Sequence, residues 1–204
     1  MALTKQNILD FVNSKLHTSE TDIDSEIQEV LDDLSDANLL MASEAVADLA
    51  AASTTIVRPT LFKQLVTIVL DDGTSNPRPL WALPGGQPEL RRALRYSPSQ
   101  GTPEWFTEFG LLFYIYPISD GVYTPTIEYF KFHAGADEET GADAIEFGNE
   151  FSTTIKQGAA FNVATKKRMA EQMVLWGQKY QISKQKRIDD RIIPVYISGG
   201  PDGT

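Results

Sequence analysis

The sequence predicts an α+β fold: a helical bundle of N-terminal helices and a long C-terminal helix, with a central antiparallel β-sheet or hairpin region. Apolar residues recur at helical spacing near both ends, from Ile8 to Leu34 and from Phe147 to Tyr180. Between them, residues 109–133 are dominated by β-branched and aromatic side chains, which suit a pleated, half-buried surface. Strands and helices that are segregated along a chain are typical of α+β folds.

The 204 residues are enough for one domain with a substantial core, or at most two small ones. We predict a single domain with four segments. They are the N-terminal helices (1–38), a β-rich middle (39–134), a long C-terminal helical region (145–191) and a C-terminal tail (192–204).

Composition excludes several kinds of site. The chain has no cysteine, which excludes a disulfide, a thiolate metal site and a cysteine nucleophile. Its first residues lack the basic and apolar segments of a secretory signal. No apolar run approaches the roughly 20 residues that span a bilayer. We therefore expect a soluble protein with no membrane partner.

Charge is distributed unevenly along a chain whose formal net charge is −10. Residues 1–57 contain two lysines and eleven acidic residues, whereas residues 156–191 contain nine lysines and arginines and three acidic residues. Such asymmetry can mark contact surfaces between subunits or with a partner, or it can reflect two solvated helix faces. The acidic total argues against a protein whose main role is to grip duplex DNA.

Two short helices are predicted at the N-terminus. The first spans residues 4–16, where Thr4 can act as a cap. The second begins near residues 21–24, whose side chains can cap it. Its predicted apolar stripe consists of Ile23, Ile27, Val30, Leu31 and Leu34. The opposite, acidic face is predicted to consist of Glu26, Glu29, Asp32 and Asp33.

The next segment gives conflicting signals. Residues 39–53 are rich in alanine, which favours a helix on propensity alone, but residues 54–57 resemble a strand. Residues 61–70 predict a strand that ends in the turn Asp71-Asp72-Gly73, and residues 78–83 predict its partner strand.

A short helix and a loop precede the central run. The segment from Pro84 to Pro88 breaks the chain, and residues 89–96 suit one or two helical turns. Residues 97–103 contain two prolines and a glycine, so we expect a loop there.

Residues 109–133 predict a β-hairpin, because the turn signal Pro117 to Gly121 lies in their middle. The first strand would present Leu111, Phe113 and Ile115 on one face, and Leu112, Tyr114 and Tyr116 on the other. Since both faces are apolar, either both are covered within the subunit or one is covered by a neighbouring subunit. Pro125 cannot donate to a strand ladder, so we expect the return strand at a sheet edge.

The strongest helical signal follows an acidic segment, residues 135–143, that we predict as an exposed loop. The signal comprises Phe147, Phe151, Ile155, Ala159 and Val163, then Met169, Met173, Trp176, Tyr180 and Arg187. Its register changes near residues 165–167, which fits either two helices or one bent helix.

No catalytic constellation is present in the sequence. No glycine precedes a lysine, which excludes a phosphate-binding P-loop, and the HExxH and GxSxG motifs are absent. We interpret His17 and His133 as surface or hydrogen-bonded residues rather than catalytic bases. Adjacent acids such as Asp32-Asp33 point apart on a helix, and Asp71-Asp72 suits a turn. We predict no enzymatic activity, no cofactor and no metal site.

Several phrases of the sequence occur in a recognisable order. They are the turn Leu70-Asp71-Asp72-Gly73, the lead-in Gly101-Thr102-Pro103-Glu104-Trp105-Phe106, the aromatic segment from Leu112 through Tyr116-Pro117 and Tyr123 to Tyr129, and Phe147-Gly148-Asn149-Glu150-Phe151 before a long helix. In this order the chain resembles the head-to-tail adaptor (connector) proteins of tailed bacteriophages, over about residues 4–191. It departs from them at residues 39–53, where similar proteins tend to be extended, and at Ser119, which replaces a proline.

The resemblance implies a non-enzymatic virion protein. Proteins similar to this one form a ring, commonly of twelve copies, below the portal protein at the capsid vertex. The ring extends the DNA channel and joins the capsid to the next neck or tail protein, so the expected location is the virion neck, and the host cytoplasm during assembly. Genomic DNA would pass through the lumen without specific binding, and we expect acids from residues 20–36 or 137–150 to line it.

Two contact surfaces are predicted for such a ring. A ring interface is heterologous, and an acidic N-terminal third meeting a basic C-terminal helix would suit it. We also expect the hairpin to contribute to the subunit interface through Leu112, Tyr114, Tyr116 and Tyr129.

The portal is expected to bind residues 183–197, because similar adaptors dock through their C-terminal region. The apolar segment 192–197 could add a strand to a sheet edge, or it could fold back onto its own domain. The predicted portal-binding residues are Lys184, Arg187, Arg191, Ile192, Ile193, Val195, Tyr196 and Ile197.

Two other functions compete with this prediction. A capsid-decorating protein would bind the major capsid protein rather than the portal. A nucleic-acid-binding protein would use the basic residues Lys184, Lys186, Arg187 and Arg191 and would bind DNA in a salt-sensitive way. A solvated helix C-terminus, where cations are favoured, is a simpler explanation of that basic run.

Overall fold

A computed structural model describes residues 3–74, 77–96, 98–133, 145 and 147–190. The described residues fall into two compact units. The helical unit contains residues 3–40 together with the described residues from 131 to 190, and the β unit contains residues 41–130. Helices therefore come from both ends of the chain and antiparallel strands from its middle, which confirms the predicted α+β fold.

Helix α1, Lys5–Leu16, begins at a capping box. The Thr4 hydroxyl accepts a hydrogen bond from the Asn7 backbone N–H, and the Asn7 side chain accepts one from the Thr4 N–H, each at 3.3 Å. The helix ends at His17, which adopts a left-handed conformation with φ 54°. The predicted helix and its Thr4 cap are both confirmed.

Helix α2, Asp24–Asp36, buries its predicted apolar stripe completely. The predicted capping by residues 21–24 is confirmed in part: the N-cap residue, Ile23, makes no side-chain capping bond, but Asp22 Oδ1 accepts from the Asp24 backbone N–H at 2.9 Å. One other detail of the prediction is wrong. Glu26, expected on the solvent side, is only 5% exposed, because the buried surface of α2 is wider than a single stripe and reaches one flank of the helix.

The C-terminal helical region is two helices, α4 (Ser152–Lys166) and α5 (Ala170–Asp189), preceded by a 3₁₀ turn, Asn149–Phe151. Arg168, with φ 56°, lies in the break between them. The contacts run in opposite order along the two helices, from Gly158 beside Tyr180 to Gly177 beside Phe161. The helices are therefore antiparallel neighbours, and the alternative of one bent helix is wrong.

Helix α4 lies at the centre of the helical unit and contacts α1, α2 and α5. A Cβ atom placed on Gly158 would lie 2.7 Å from Val30 Cγ2 and 2.9 Å from Tyr180 Cε2, both closer than real Cβ contacts. The absence of a side chain at this position lets α2 and α5 approach α4 together. Ala159, Ala160 and Ala164 are buried as well, so small residues cover more than one side of α4.

The described residues of the β unit form ten strands and one helix. They are β1 (Met41–Ala45), β2 (Thr55–Val57), β3 (Phe62–Asp71), β4 (Arg78–Pro79), β5 (Trp81–Ala82), α3 (Gly86–Tyr96), β6 (Gln100–Gly101), β7 (Trp105–Phe109), β8 (Leu112–Tyr116), β9 (Ile118–Ser119) and β10 (Thr124–Lys131). The strand order is β1-β10-β3-β4 in one sheet and β2-β8-β7-β5 in another, with β6-β9 as a separate pair.

The two four-stranded sheets contribute to one hydrophobic core. The Phe62 ring from β3 stacks on Tyr129 of β10 and meets Phe113 of β8 edge-on, with centroids 5.5 Å apart in both contacts. Most pairs are antiparallel, whereas β5–β7 and β6–β9 are parallel. Helix α3 packs against β7 and β8.

The predicted hairpin of residues 109–133 is wrong in its pairing. Strand β8 pairs with β7 through a turn at Gly110-Leu111 and with β2 on its other side, whereas β10 lies in the other sheet between β1 and β3. The segment expected to form the turn is bonded to other parts of the chain, since the Ser119 N–H donates to the Ser53 carbonyl and the Ile118 N–H to the Ser99 carbonyl. It therefore carries the chain from one sheet to the other.

The positions expected for Leu111 and Pro125 are therefore also wrong. Leu111, expected beside Phe113 and Ile115, lies in the β7–β8 turn and is 76% exposed, whereas those two side chains are fully buried. Strand β10 is internal, not an edge strand as Pro125 suggested. Pro125 lies one residue before Thr126, the last residue of β10 that is paired with β1, and its carbonyl accepts from the Val46 N–H at 3.0 Å.

The ambiguous residues 39–53 form no helix: they contain strand β1, a bridge at Leu49 and a turn with Ala52 at φ 66°. Strand β1 pairs with β10, from Met41 opposite Phe130 to Ala45 opposite Thr126, and Leu49 forms a bridge with Tyr123. Strand pairing thus outweighs the helical propensity of the alanines. The expected strand at 78–83 divides in two, since β4 pairs with β3 but β5 pairs with β7. The turn at Gly73, with φ 79°, is confirmed.

Candidate interaction surfaces

The acidic and basic ends of the chain are joined inside the helical unit. The Lys167 Nζ lies 2.5 Å from a Glu20 carboxylate oxygen, and the Lys184 Nζ donates to Asp33 Oδ1 at 2.7 Å. Lys166 also donates to the Glu26 carboxylate. Part of the charge asymmetry is therefore used within the subunit, an outcome that neither sequence-based alternative included.

Asp33 is the centre of a cluster that connects α2 with α5. Tyr180 Oη donates to Asp33 Oδ2 at 2.5 Å, beside the bond from Lys184. Burial alone would raise the pKa of Asp33, but the hydrogen bonds from Lys184 and Tyr180, together with the lysine charge, lower that pKa below its ordinary value. Burial and the bond to the Asp33 carboxylate raise the pKa of Tyr180, which keeps its hydroxyl protonated as the donor.

Glu26 connects α2 with α4 through both its side chain and its backbone. The carboxylate accepts from Lys166, and the Glu26 backbone carbonyl accepts from Asn162 Nδ2 at 3.0 Å. The hydrogen bond to Glu26 raises the pKa of Lys166. The buried Glu26 carboxylate is thus paired, through Oε1, with the exposed Lys166 ammonium.

The predicted portal-binding residues are described only in part. Lys184 is 17% exposed in its side chain and occupied by Asp33. Arg187 is half-buried, with its guanidinium carbon 5.8 Å from the centre of the Phe151 ring. The remaining predicted residues, Arg191, Ile192, Ile193, Val195, Tyr196 and Ile197, lie outside the described part of the chain.

The predicted subunit-interface residues separate into two groups. Leu112, Tyr114 and Tyr116 lie together on one face of β8 and are half-buried. Tyr129 belongs to the other sheet, is 2% exposed, and donates its hydroxyl to Glu44 Oε2 at 2.9 Å. Its side chain is therefore part of the subunit core, whereas the three residues on β8 remain candidates for an interface.

Exposed apolar side chains cluster around the β7–β8 turn. Phe109 and Tyr114 line a pocket of about 110 Å³ with four residues of α3, Gln87, Leu90, Arg91 and Leu94. Phe109 and Leu111 are exposed, as is Val57, which pairs with Leu112 across β2 and β8. We call Val57, Phe109, Leu111 and Tyr114 the turn surface.

Sequence reasoning missed two features of this region. It expected the turn at Pro117 to Gly121 and therefore placed Leu111 within a strand. It also passed over the arginines of α3, Arg91, Arg92 and Arg95, all of which are exposed. Their spacing within the predicted helix could have indicated that they are exposed.

The residues considered for catalysis or metal binding have structural roles. His17 ends α1, and His133 is buried with its ring stacked 6.1 Å from Phe147, so it is not a surface residue. Asp33 faces α5 while Asp32 accepts from Gln28, as expected for acids that point apart. Within the ranges that the structure describes, no three histidines or acids are grouped for a metal ion. No helix there is long and apolar enough to cross a membrane.

The family comparison agrees with the resemblance seen in the sequence. The family model of the SU10 adaptor protein matches residues 4–195, and no curated protein matches the chain. The match covers nearly the same residues as the resemblance to phage adaptors and supports a phage adaptor-type protein. Because it extends over almost the entire sequence, the chain belongs to the SU10 adaptor protein family.

Proposed function

We propose that the protein is a head-to-tail adaptor, a structural virion protein that forms a ring of about twelve copies below the portal. The ring extends the DNA channel and joins the capsid to the next neck or tail protein. The observation that carries this proposal is the family match over residues 4–195. An adaptor family implies a structural role, in agreement with the lack of a catalytic motif in the sequence.

Exposed apolar side chains support self-association. Val57, Phe109 and Leu111 project from one small region of the β unit, and large exposed apolar groups that cluster in this way mark contact sites. We propose that the turn surface, with Leu112 and Tyr116 beside it, contributes to the contact between neighbouring subunits. Tyr129 is not part of this proposal, since its side chain is buried.

The portal contact is proposed for the C-terminal residues. Lys184 is already bonded to Asp33, so we assign it to the stability of the subunit rather than to docking. The docking role then falls to Arg187 and to residues 191–197, whose apolar segment could add a strand to a sheet edge of the portal.

Truncation of the tail tests this proposal. Removal of residues 192–204 should leave a folded subunit that no longer binds the portal or joins particles, as measured by pull-down with portal protein and by particle composition. Substitution of Lys184 by methionine serves as a control: it should reduce subunit stability without abolishing portal binding. A truncated protein that is unfolded, or that assembles normally, would contradict the docking role.

A further inference from the structure

The outer sides of α2 and α5 carry two regular stripes of exposed residues. The acidic stripe, on α2, has successive spacings of four and three residues and consists of Ser25, Glu29 and Asp32, and the exposed Asp22 lies just before the helix. The basic stripe, on α5, has spacings of four, three and four residues and consists of Leu175, Lys179, Ile182 and Lys186. These spacings place the members of each stripe along one side of its helix.

Each stripe has a uniform sign of charge. The sequence contains no lysine or arginine between residues 16 and 57, and no aspartate or glutamate between residues 172 and 188. A stripe would therefore repel a second copy of itself, which disfavours a two-fold contact built on either helix alone. The two stripes are complementary to each other, and repulsion between like charges disfavours the other pairings of these surfaces.

The internal ion pairs leave these charges facing outward. Asp33 and Lys184 occupy the inner flanks of the same two helices and bind each other. Among the residues placed by the structure, Glu29, Asp32, Lys179 and Lys186 have no ion-pair partner. The Lys179 ammonium lies 4.4 Å from the centre of the Trp176 ring, an interaction that holds it along the helix surface.

The basic stripe also exposes apolar surface that the core of the subunit does not cover. Ile182 is 72% exposed and Leu175 is 42% exposed, and each lies next to a cation along the stripe. A neighbour that covers this stripe would remove the two side chains from water while its carboxylates meet the two lysines. Apolar burial stabilises such a contact, and the charges select the partner surface.

We propose that the basic stripe of one copy binds the acidic stripe of the next copy. This inference rests on the proposed ring and names a contact in the helical unit, separate from the turn surface. Two different surfaces that meet head to tail generate a closed ring or a filament rather than a two-fold dimer. The acids of α2 are then used between subunits, which leaves residues 137–150 as the expected acidic lining of the channel.

Carbodiimide cross-linking of an isotope mixture tests the contact directly. The reagent joins a lysine to a carboxylate only when the two touch, so it traps weak association of the full chain. Equal amounts of ¹⁴N and ¹⁵N protein should give mixed-isotope links from Lys179 or Lys186 to Glu29 or Asp32. The Lys184–Asp33 link, within single chains, is the internal control. Formation of the control without those mixed links would overturn the inference.

Mixed-isotope links at other surfaces would separate the stripe contact from the proposed function. Mixed-isotope links confined to other surfaces would refute the stripe contact while leaving self-association, and with it the proposed function, intact. Absence of the chain from the particle neck would instead refute the proposed function, so the two failures are distinguishable.

Charge reversal provides a second test that does not depend on cross-linking. Glu29→Lys with Asp32→Lys, or Lys179→Glu with Lys186→Glu, should each weaken self-association about tenfold or more in sedimentation experiments. All four changes in one chain should restore self-association but not association with the wild type. Because the four side chains are exposed, circular dichroism of each variant should match the wild type. Unchanged association of either double variant, or no recovery in the fourfold variant, would contradict the proposal.

Discussion

The two units of this protein are stabilised by different means. In the helical unit, the Lys184–Asp33 ion pair connects α5 with α2, and small residues on α4 are buried in the core. In the β unit, aromatic rings of two sheets form the core, while the turn surface leaves large apolar groups in solvent. Part of the charge along this sequence thus joins the two ends of the chain within one subunit, whereas the large apolar groups of the turn surface have no such use in the β unit.

The largest effect should come from the core of the β unit. Phe113→Ala removes a fully buried ring and should lower the free energy of unfolding by about 3–5 kcal/mol. Leu111→Ala, two residues away and 76% exposed, should change it by less than about 0.5 kcal/mol. Urea denaturation measures both. Equal effects would mean that the division between core and turn surface is wrong.

The helical unit should be sensitive to added volume at its centre. Gly158→Ala places a methyl group against Val30 and Tyr180 and should cost about 1–3 kcal/mol, even though alanine favours helices. Gly177→Ala is the matched control. A Cβ atom on Gly177 would lie 3.1 Å from the Phe161 ring and would therefore press on one neighbouring helix, α4, rather than on two. Hydrogen exchange should show faster exchange across α2, α4 and α5 in the first variant. A Gly158→Ala protein at least as stable as the control would contradict the close approach of these helices.

The Asp33 cluster should matter less than packing, and in a pH-dependent way. Asp33→Asn should cost about 1 kcal/mol at neutral pH, since the carboxylate is partly exposed and its ion pair is partly screened by solvent. Asp32→Asn should be nearly neutral, because Asp32 is exposed and has no ion pair among the described residues. Urea denaturation at neutral pH compares the two variants.

The pKa of Asp33 is lowered in the folded protein, so its contribution is present above the unfolded value of about 3.9. That contribution is lost as the pH falls through the folded value. The difference in stability between the wild type and Asp33→Asn should therefore shrink below about pH 4. A difference that grows on acidification would show that the sign of the pKa shift is wrong.

The smallest effect on stability, but a large effect on assembly, is expected at the turn surface. Leu111→Ser and Val57→Ser should alter the free energy of unfolding by less than about 0.5 kcal/mol, because both side chains are already in water. The same changes should reduce incorporation into particles if the turn surface contacts a neighbour. Thr60→Ala, at another exposed position of the β unit, is the control for incorporation. Normal incorporation of both serine variants would remove the turn surface from the ring.

Features that depend on residues near each other in sequence were predictable. The Thr4 cap, the apolar stripe of α2 and the break near residues 165–167 all follow from local spacing and capping chemistry. The α+β class followed from the same local patterns.

Features that depend on distant partners were not predictable in the same way. Alternation along residues 112–116 identified a strand but not its neighbours, which are β2 and β7 rather than β10. The segment between β8 and β10 is held by hydrogen bonds to the backbone carbonyls of Ser53 and Ser99, and no local pattern indicates these partners. Likewise, counting charges revealed opposite ends but could not show that Glu26 and Asp33 would be used within the subunit.

An image of the particle neck tests the central claim most directly. Electron microscopy of virions that carry this chain, with symmetry determined along the tail axis, should show it as a ring directly below the portal. The helical unit of each copy should face that of the next. Location of the chain on the capsid shell, or in the neck without contact between copies, would contradict the proposed adaptor ring.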